Sequence, residues 1–329
     1  MKIINKPLLT IVALVLSNAA IAQSQDTSAT TKLVAYAADK FPVARNFNLE
    51  FNGSGAYNFT SKLRGVELPA GRTTRWLQTK ASANLNLIQS KSWILGTTFT
   101  YRGTSFAAKL DAPVAGLNNS VDDQFHYHTS SLNLTRISKL FGKTAIYSGS
   151  LIVDGSEKRF ERVKGLFSVN VVLKANARTR IAIGAFGMLD PSSDLPALPT
   201  FTYEHHFDNG FIADITFPRN IFIRKNVFGN GRITLGTEID RTGFYLYNRY
   251  NTGKTYEYRQ VDLNNGLIYE HKVFKNFIIT AKGGLKMTTA ARVFDRKESF
   301  GDFIYESKPD ATPYFNIGVS FNPFGKKNQ

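Results

Sequence analysis

Between Leu77 and Phe106 apolar and polar residues alternate with a period of two on both sides of a short polar break. Leu77, Thr79, Ala81, Ala83, Leu85 and Leu87 share one phase, and Gln78, Lys80, Ser82, Asn84 and Asn86 the other. After Gln89, Ser90, Lys91 and Ser92 the pattern resumes, with Trp93, Leu95, Thr97, Phe99 and Tyr101 set against Gly96, Thr98, Thr100 and Arg102. A period of two marks a β-strand with one apolar and one polar face. Strands of soluble sandwiches run to about 5–6 residues, whereas a tilted strand needs about 9–11 to cross a bilayer. These two runs have the bilayer length. The pattern therefore predicts an all-β chain, a transmembrane antiparallel up-and-down β-barrel.

The rule repeats downstream. Ala145, Tyr147, Leu151 and Val153 oppose Thr144, Ser148 and Ser150; Phe167, Val169, Val171 and Leu173 oppose Ser168, Asn170 and Lys174. Phe211, Ala213, Ile215 and Phe217 oppose Asp214 and Thr216, and Phe277, Ile279, Ala281 and Leu285 oppose Thr280, Lys282 and Lys286. Short turns fall at residues 89–92, 138–143, 174–178, 207–210, 227–231 and 273–276, with Asp208, Asn209, Gly210 the clearest hairpin signal. Longer connections fall at 107–123, 154–162, 190–196, 249–254 and 294–313. Short turns at one end and long loops at the other are the habit of membrane barrels. The first strand is expected over about residues 46–59, followed by a loop holding Pro69, Gly71 and two arginines. Counting up and down gives about fourteen strands if residues 209–226 form two short strands around Pro218, and twelve if that stretch is one long bulged strand.

The ends carry targeting information. Lys2 and Lys6 precede an apolar run at 8–16, and Ala20, Ile21, Ala22 form a small-residue ending before Gln23, which reads as a secretory signal over 1–22. Residues 23–45 are expected to be a periplasmic lead-in, unstructured at least over the Ser-, Thr- and Ala-rich stretch 23–32. The barrel then covers 46–324, with a tail at 325–329. The last strand places Phe315, Ile317, Val319 and Phe321 on a lipid face. Gly318, Phe321 and Phe324 resemble the terminal-strand signal of bacterial outer-membrane barrels, departing from it in aromatic spacing, in Pro323 and in the tail. The whole pattern, including residues 154–162, resembles an uncharacterised family of bacterial outer-membrane β-barrel proteins. That resemblance implies the outer membrane of a Gram-negative bacterium, outer-membrane lipids as neighbours and the barrel-assembly machinery as a partner during biogenesis. It implies no reaction.

Composition adds little to the fold. A hydrophobic share of 43% and a mean hydropathy of −0.20 would suit a soluble protein, because alternation hides the apolar face from averages. The 26 Phe and 14 Tyr fit aromatic girdles at membrane interfaces, although they suit soluble strands as well. The formal charge of +16 falls by the two lysines of the signal, and the bases are spread along strands and turns rather than gathered in a helix or stripe. No nucleic-acid role is expected. Anionic headgroups or a small polar or anionic solute are the expected counterparts. With 0 Cys there are no disulfides, no thiolate metal sites and no lipidated cysteine.

If the apolar phase meets lipid, the other phase lines the lumen, and its charged members are Lys80, Arg102, Lys174, Arg180, Glu204, Asp214, Glu238, Asp240, Asp262, Glu270, Lys282 and Lys286. Bases come from the early strands and the penultimate one, acids from 204 to 270, which predicts a basic wall facing an acidic wall. Such walls either set up a field across a pore or pair with each other as structural ion pairs. His128 and Ser130 project from one strand face and resemble the His/Ser spacing of outer-membrane phospholipases, but Asn133 is too close in sequence to complete that site. His126 with His128 offers two ligands, which do not make a metal site, and the adjacent His205 and His206 point apart. No cofactor is expected. The mixed-charge segment 154–162 reads as a solvated outer loop. Together these features point to a passive channel or transporter for small polar or amphipathic solutes. The alternatives are a structural or surface-interaction barrel without a pore, a lipid-modifying enzyme and, for the fold, a secreted β-sandwich.

Overall fold

The computed structural model describes residues 28–323 apart from 191, 194, 195, 249–252 and 275. The signal segment, Phe324 and the tail lie outside the described residues. Sixteen antiparallel segments form one closed sheet. In chain order they are β1 (Phe47–Ser54), β2 (Tyr57–Leu63), β3 (Val66–Gln89), β4 (Trp93–Leu110), β5 (Ser120–Leu140), β6 (Lys143–Gly155), β7 (Phe160–Ala175) and β8 (Thr179–Leu189). Then follow β9 (Ala197–His206), β10 (Phe211–Phe217), β11 (Asn220–Val227), β12 (Gly231–Tyr247), β13 (Thr255–Val273), β14 (Phe277–Asp295), β15 (Phe303–Pro309) and β16 (Thr312–Phe321). β1 and β2 occupy one wall position in succession, as do β15 and β16, so the barrel has 14 strands. Closure runs through Phe47↔Phe321 at one end and Leu63↔Tyr305 at the other.

Residues 209–226 form two strands, with Phe211 facing Lys225 and Thr216 facing Asn220. Two expected loops are strand instead. Residues 66–76 belong to the 24-residue β3, where a register shift opposite Phe59 and Ser61 absorbs Pro69, which has no N–H to give a ladder. Residues 303–309 pair with both β14 and β2.

The barrel is inside out relative to a soluble protein. Leu132 (50% exposed), Leu151 (55%), Ile221 (58%) and Ile317 (58%) stand on the outer surface, whereas Arg45, Gln78, Gln260, Glu257, Asp154 and Asp214 are among the largest fully buried side chains. A soluble sandwich would show the reverse, because its driving force is apolar burial. An apolar exterior around a polar interior is the arrangement of a membrane-spanning barrel. At three of the short turns Phe141, Phe228 and Phe274 adopt left-handed φ of 49°, 54° and 55°. Their rings are 93%, 82% and 87% exposed, which sets aromatic groups at the end of the barrel.

The lead-in differs from its expected form. Residues Ala29–Lys40 are an α-helix, α1, whose N-cap Ser28 accepts a hydrogen bond from the Thr31 amide at 3.3 Å. Alanine, leucine and lysine carry it, and it stops at Phe41 because the residue before Pro42 is pushed out of helical geometry. The Ser/Thr content that suggested coil supplies the cap. α1 lies across the short-turn mouth. Thr30 donates to the Ser90 carbonyl in the β3–β4 turn (2.6 Å), and at the far end Tyr36 donates to Glu204 on β9 (2.9 Å) while Lys40 pairs with Asp214 on β10. In a ring of 14 positions β3 and β10 are opposite each other.

At the long-loop end the wall is uneven. β10 and β11 stop at residues 218–219, so β12 beyond Ile239 has no strand on that side among the described residues. Its upper half leans into the lumen instead. Phe244 stacks on Phe125 of β5 at 4.1 Å and on Tyr258 at 4.7 Å, and Tyr245 donates to Asp154 of β6 at 2.9 Å.

Candidate functional site

The inward β12–β13 hairpin and α1 divide the lumen into chambers. The outer chamber, at the long-loop end, has about 600 Å³ and is lined by Tyr57, Phe59, Phe106, Leu117, Phe125, Phe244, Leu246, Tyr258 and Val293, with little charge among them. The central chamber has about 280 Å³ and is lined by Glu50, Lys80, Arg102, Arg219, Glu238, Asp240, Asp262, Lys282 and Lys286. The inner chamber, about 560 Å³, lies between α1 and the β8–β13 wall and holds Tyr36, Lys40, Arg180, Glu204, Asp214, Arg224, Arg232 and Glu270.

These chambers contain every charged residue read from the strand phases except Lys174. That residue is exposed at the end of β7, because the register shifts between Val172 and Lys174 and hands the inward phase to Ala175, which pairs with Arg180. The two expected walls do not face each other across open space. Lys80 donates to Asp240 at 2.6 Å, Arg102 reaches the same carboxylate at 3.4 Å, and Lys282 donates to Glu238 at 2.6 Å. Gln78 adds bonds of 3.1 Å to Thr104 and to Thr242 of β12. The acidic wall also carries its own bases. Arg224 pairs with Asp214 at 2.7 Å and Arg232 with Glu270 at 2.6 Å. A belt of ion pairs therefore crosses the centre of the barrel.

Segment 154–162 is not a solvated loop. Asp154 is fully buried and accepts bonds from Tyr127 (2.6 Å) and Tyr245 (2.9 Å) while pairing with Lys164 at 2.6 Å. Glu161 is buried beside Arg159 and Arg296, at 2.7 Å and 3.2 Å. Arg162 bridges Asp190 (3.1 Å) and Glu257 (3.0 Å), and Arg259 bonds Glu257 and Ser192. This cluster anchors the long-loop end of the inward hairpin. Burial works to raise the Asp190 carboxyl, but Lys164, the Ser192 hydroxyl, Arg162 and Arg259 more than offset it, and its pKa lies below the ordinary value of 3.8. A depressed acid contributes stability above its unfolded pKa and loses it as pH falls through the folded value. Limited proteolysis is therefore expected to cut residues 190–196 faster below about pH 4 in the wild type, and no faster in Asp190→Asn.

Sequence reading missed α1 and Arg45. Arg45 is fully buried, bonding the Ala38 carbonyl (3.1 Å), Ser320 (3.0 Å) and Glu270 (2.5 Å). It also missed Arg224 and Arg232, although Arg224 alternates with Ile221 and Ile223 and was legible by period. Asp190 and Ser192 carry no periodic signal. Every described histidine has an ordinary neighbour. His126 shares a hydrogen bond with Tyr101 (2.7 Å), His205 with Thr179 (2.9 Å) and His271 with Tyr269 (2.9 Å), while His206 lies 3.2 Å from Glu204 and His128 packs edge-on to Phe160. His128 and Ser130 face Tyr101 and Phe99 in the β4 register, on the apolar exterior, and no hydrogen bond joins them among the described residues.

No family model matches the chain, and no curated protein matches it. Among solved structures it is similar to the outer membrane phospholipase A from Escherichia coli, at 11% identity and a TM-score of 0.33, over 83% of this chain and 93% of that one. It is also similar to a Pseudomonas aeruginosa FadL homologue, at 9% identity and TM-score 0.33 over 87% and 93%, and to the Pseudomonas putida toluene transporter TodX, at 9% identity and TM-score 0.35 over 84% and 88%.

Proposed function

We propose that this barrel resides in the outer membrane and passes small amphipathic solutes through a lumen that its own side chains and N-terminal helix hold closed. One observation carries the reading: an apolar chamber, a charged belt and a polar chamber lie in series along the axis, separated by the inward β12–β13 hairpin, side chains and α1. A scaffold without traffic has no need of an apolar cavity inside a polar lumen, where each exposed ring forgoes burial. In this reading the long-loop end faces outward and the short turns face the periplasm.

The plug is built to leave. Each wall carboxylate that holds it keeps a second, wall-borne cation: Glu204 has Arg180 (3.7 Å), Asp214 has Arg224 (2.7 Å) and Glu270 has Arg232 (2.6 Å). Withdrawal of Lys40 and Arg45 therefore strands no buried acid, which would otherwise be the dominant cost. His128 and Ser130 take no part, and any lipid hydrolysis by the purified protein that disappears on their replacement by alanine would reassign the barrel as an enzyme. Planar bilayers test passage directly. A variant lacking residues 28–45 and carrying Asp240→Asn is expected to give stepwise ion currents that the full chain does not. A folded barrel that stays silent in both forms would leave the scaffold reading in place.

A further inference from the structure

We propose that the solute is an anionic amphiphile, an apolar body carrying one carboxylate, and that Lys286 is the residue that selects its head group; this rests on the passage reading above. Lys286 is 6% exposed, and its ammonium has no hydrogen-bond partner and no carboxylate within ion-pair distance among the described residues. Of the other bases of the central chamber, Lys80, Arg102 and Lys282 hold a carboxylate, while Arg219 lies over the Phe41 ring (4.2 Å) on the helix side, away from Tyr57 and Trp76. Asp262, the acid that attracts it most, is turned toward Gln260 (2.8 and 2.9 Å) and Thr288 (2.7 Å) and makes no direct ion pair with it.

Position gives the unpaired charge its meaning. The ammonium lies 4.9 Å from the ring centre of Trp76 and 5.3 Å from that of Tyr57. Tyr57 lines the outer chamber and Trp76 the central one, and Trp76 also packs edge-on to Phe106 of the outer chamber at 5.5 Å. Lys286 thus lines the central chamber against the Tyr57 ring, which belongs to the apolar chamber, on the side through which a solute must continue. Aromatic faces hold a cation more weakly than a buried carboxylate does. A ligand whose body fills the outer chamber presents its head group to an ammonium that makes no direct ion pair among the described residues and feels Asp262 and Asp240 only at longer range, and it exchanges a cation–π contact for an ion pair. A neutral amphiphile gains only the apolar contact, and a cationic one meets repulsion.

The test uses 4-phenylbutanoate, 4-phenylbutan-1-ol and 4-phenylbutylamine with the full chain in lipid nanodiscs, and partition into empty discs is subtracted. Trp76 is the reporter once Trp93, the other of the 2 tryptophans, is replaced by Phe. The carboxylate is expected to bind about tenfold or more tighter than the alcohol, with the amine weakest. Lys286→Met is expected to bring the carboxylate to the level of the alcohol and leave the alcohol unchanged, while Lys286→Arg keeps the preference. If wild type binds acid and alcohol alike, or if Lys286→Met keeps the preference, the assignment of Lys286 is overturned and the chamber stands. If none of the three binds, the anionic-amphiphile proposal is overturned, whereas the current measured on plug removal still decides the passage reading on its own.

Discussion

Asp154→Ala is expected to lower the unfolding free energy of the barrel by about 3–5 kcal/mol. The loss is far beyond what a residue of a solvated loop could cause. The carboxylate is fully buried and satisfies Tyr127, Tyr245 and Lys164 together. Removing it leaves two phenolic hydroxyls without an acceptor and leaves Lys164 with Asp190 alone, at 3.2 Å. It also removes the Tyr245 tie between β12 and β6, so the outer end of the inward hairpin is left with the Ser156–Tyr247 bond (2.6 Å) and the Arg162–Glu257 pair (3.0 Å). Asp154→Asn should cost less, because the amide oxygen can still accept from one tyrosine. Urea titration in detergent, read by the heat-modified gel shift of folded barrels, measures both variants. Glu157 is exposed in the same segment, and its replacement by alanine should change stability by no more than a few tenths of a kcal/mol. Equal effects at 154 and 157 would refute the anchor.

The paired replacement Lys40→Ala with Arg45→Ala is expected to give the opposite profile, a barrel of nearly unchanged stability with a helix that no longer stays in place. Hydrogen exchange at the amides of Ala29–Lys40 should accelerate by at least about a hundredfold, since the β9–β10 end of the diametric contact depends on Lys40 and on Tyr36 beside it, and Arg45 ties the Ala38 carbonyl to Glu270. The urea midpoint should move little, because Glu204, Asp214 and Glu270 each retain an arginine. If instead the barrel unfolds with its helix, α1 is part of the folding unit and not a plug.

The two variants also mark where sequence reading succeeds. Alternation identified the barrel and its count, including the two short strands around Pro218, because a bilayer outside and polar groups inside enforce a strict period of two. The same rule gave Lys80, Asp240, Lys282 and Glu238, which are lumen residues because their neighbours in sequence are lipid-facing. It failed where the backbone breaks period: at Lys174, turned outward by a register shift, and around Pro69, kept in a strand by another. It could not reveal that Lys80 and Asp240, 160 residues apart, meet at 2.6 Å, since pairing across a lumen depends on how far β12 leans inward. Nor could it find α1. A twelve-residue helix has almost no independent stability, so its sequence need carry only a cap and good formers; the rest of its stability comes from the barrel.

The shortness of β10 bears on the membrane itself. Seven residues of tilted strand reach only about 18 Å in height, against a hydrocarbon core of about 30 Å, whereas the neighbouring segments of β12 and β13 rise much higher. Lipid beside β10 and β11 must therefore thin, drawing headgroups and water down along one flank of the protein. The bilayer around this barrel is lopsided, and molecules moving within the leaflet would find their acyl surroundings most loosely packed at that flank.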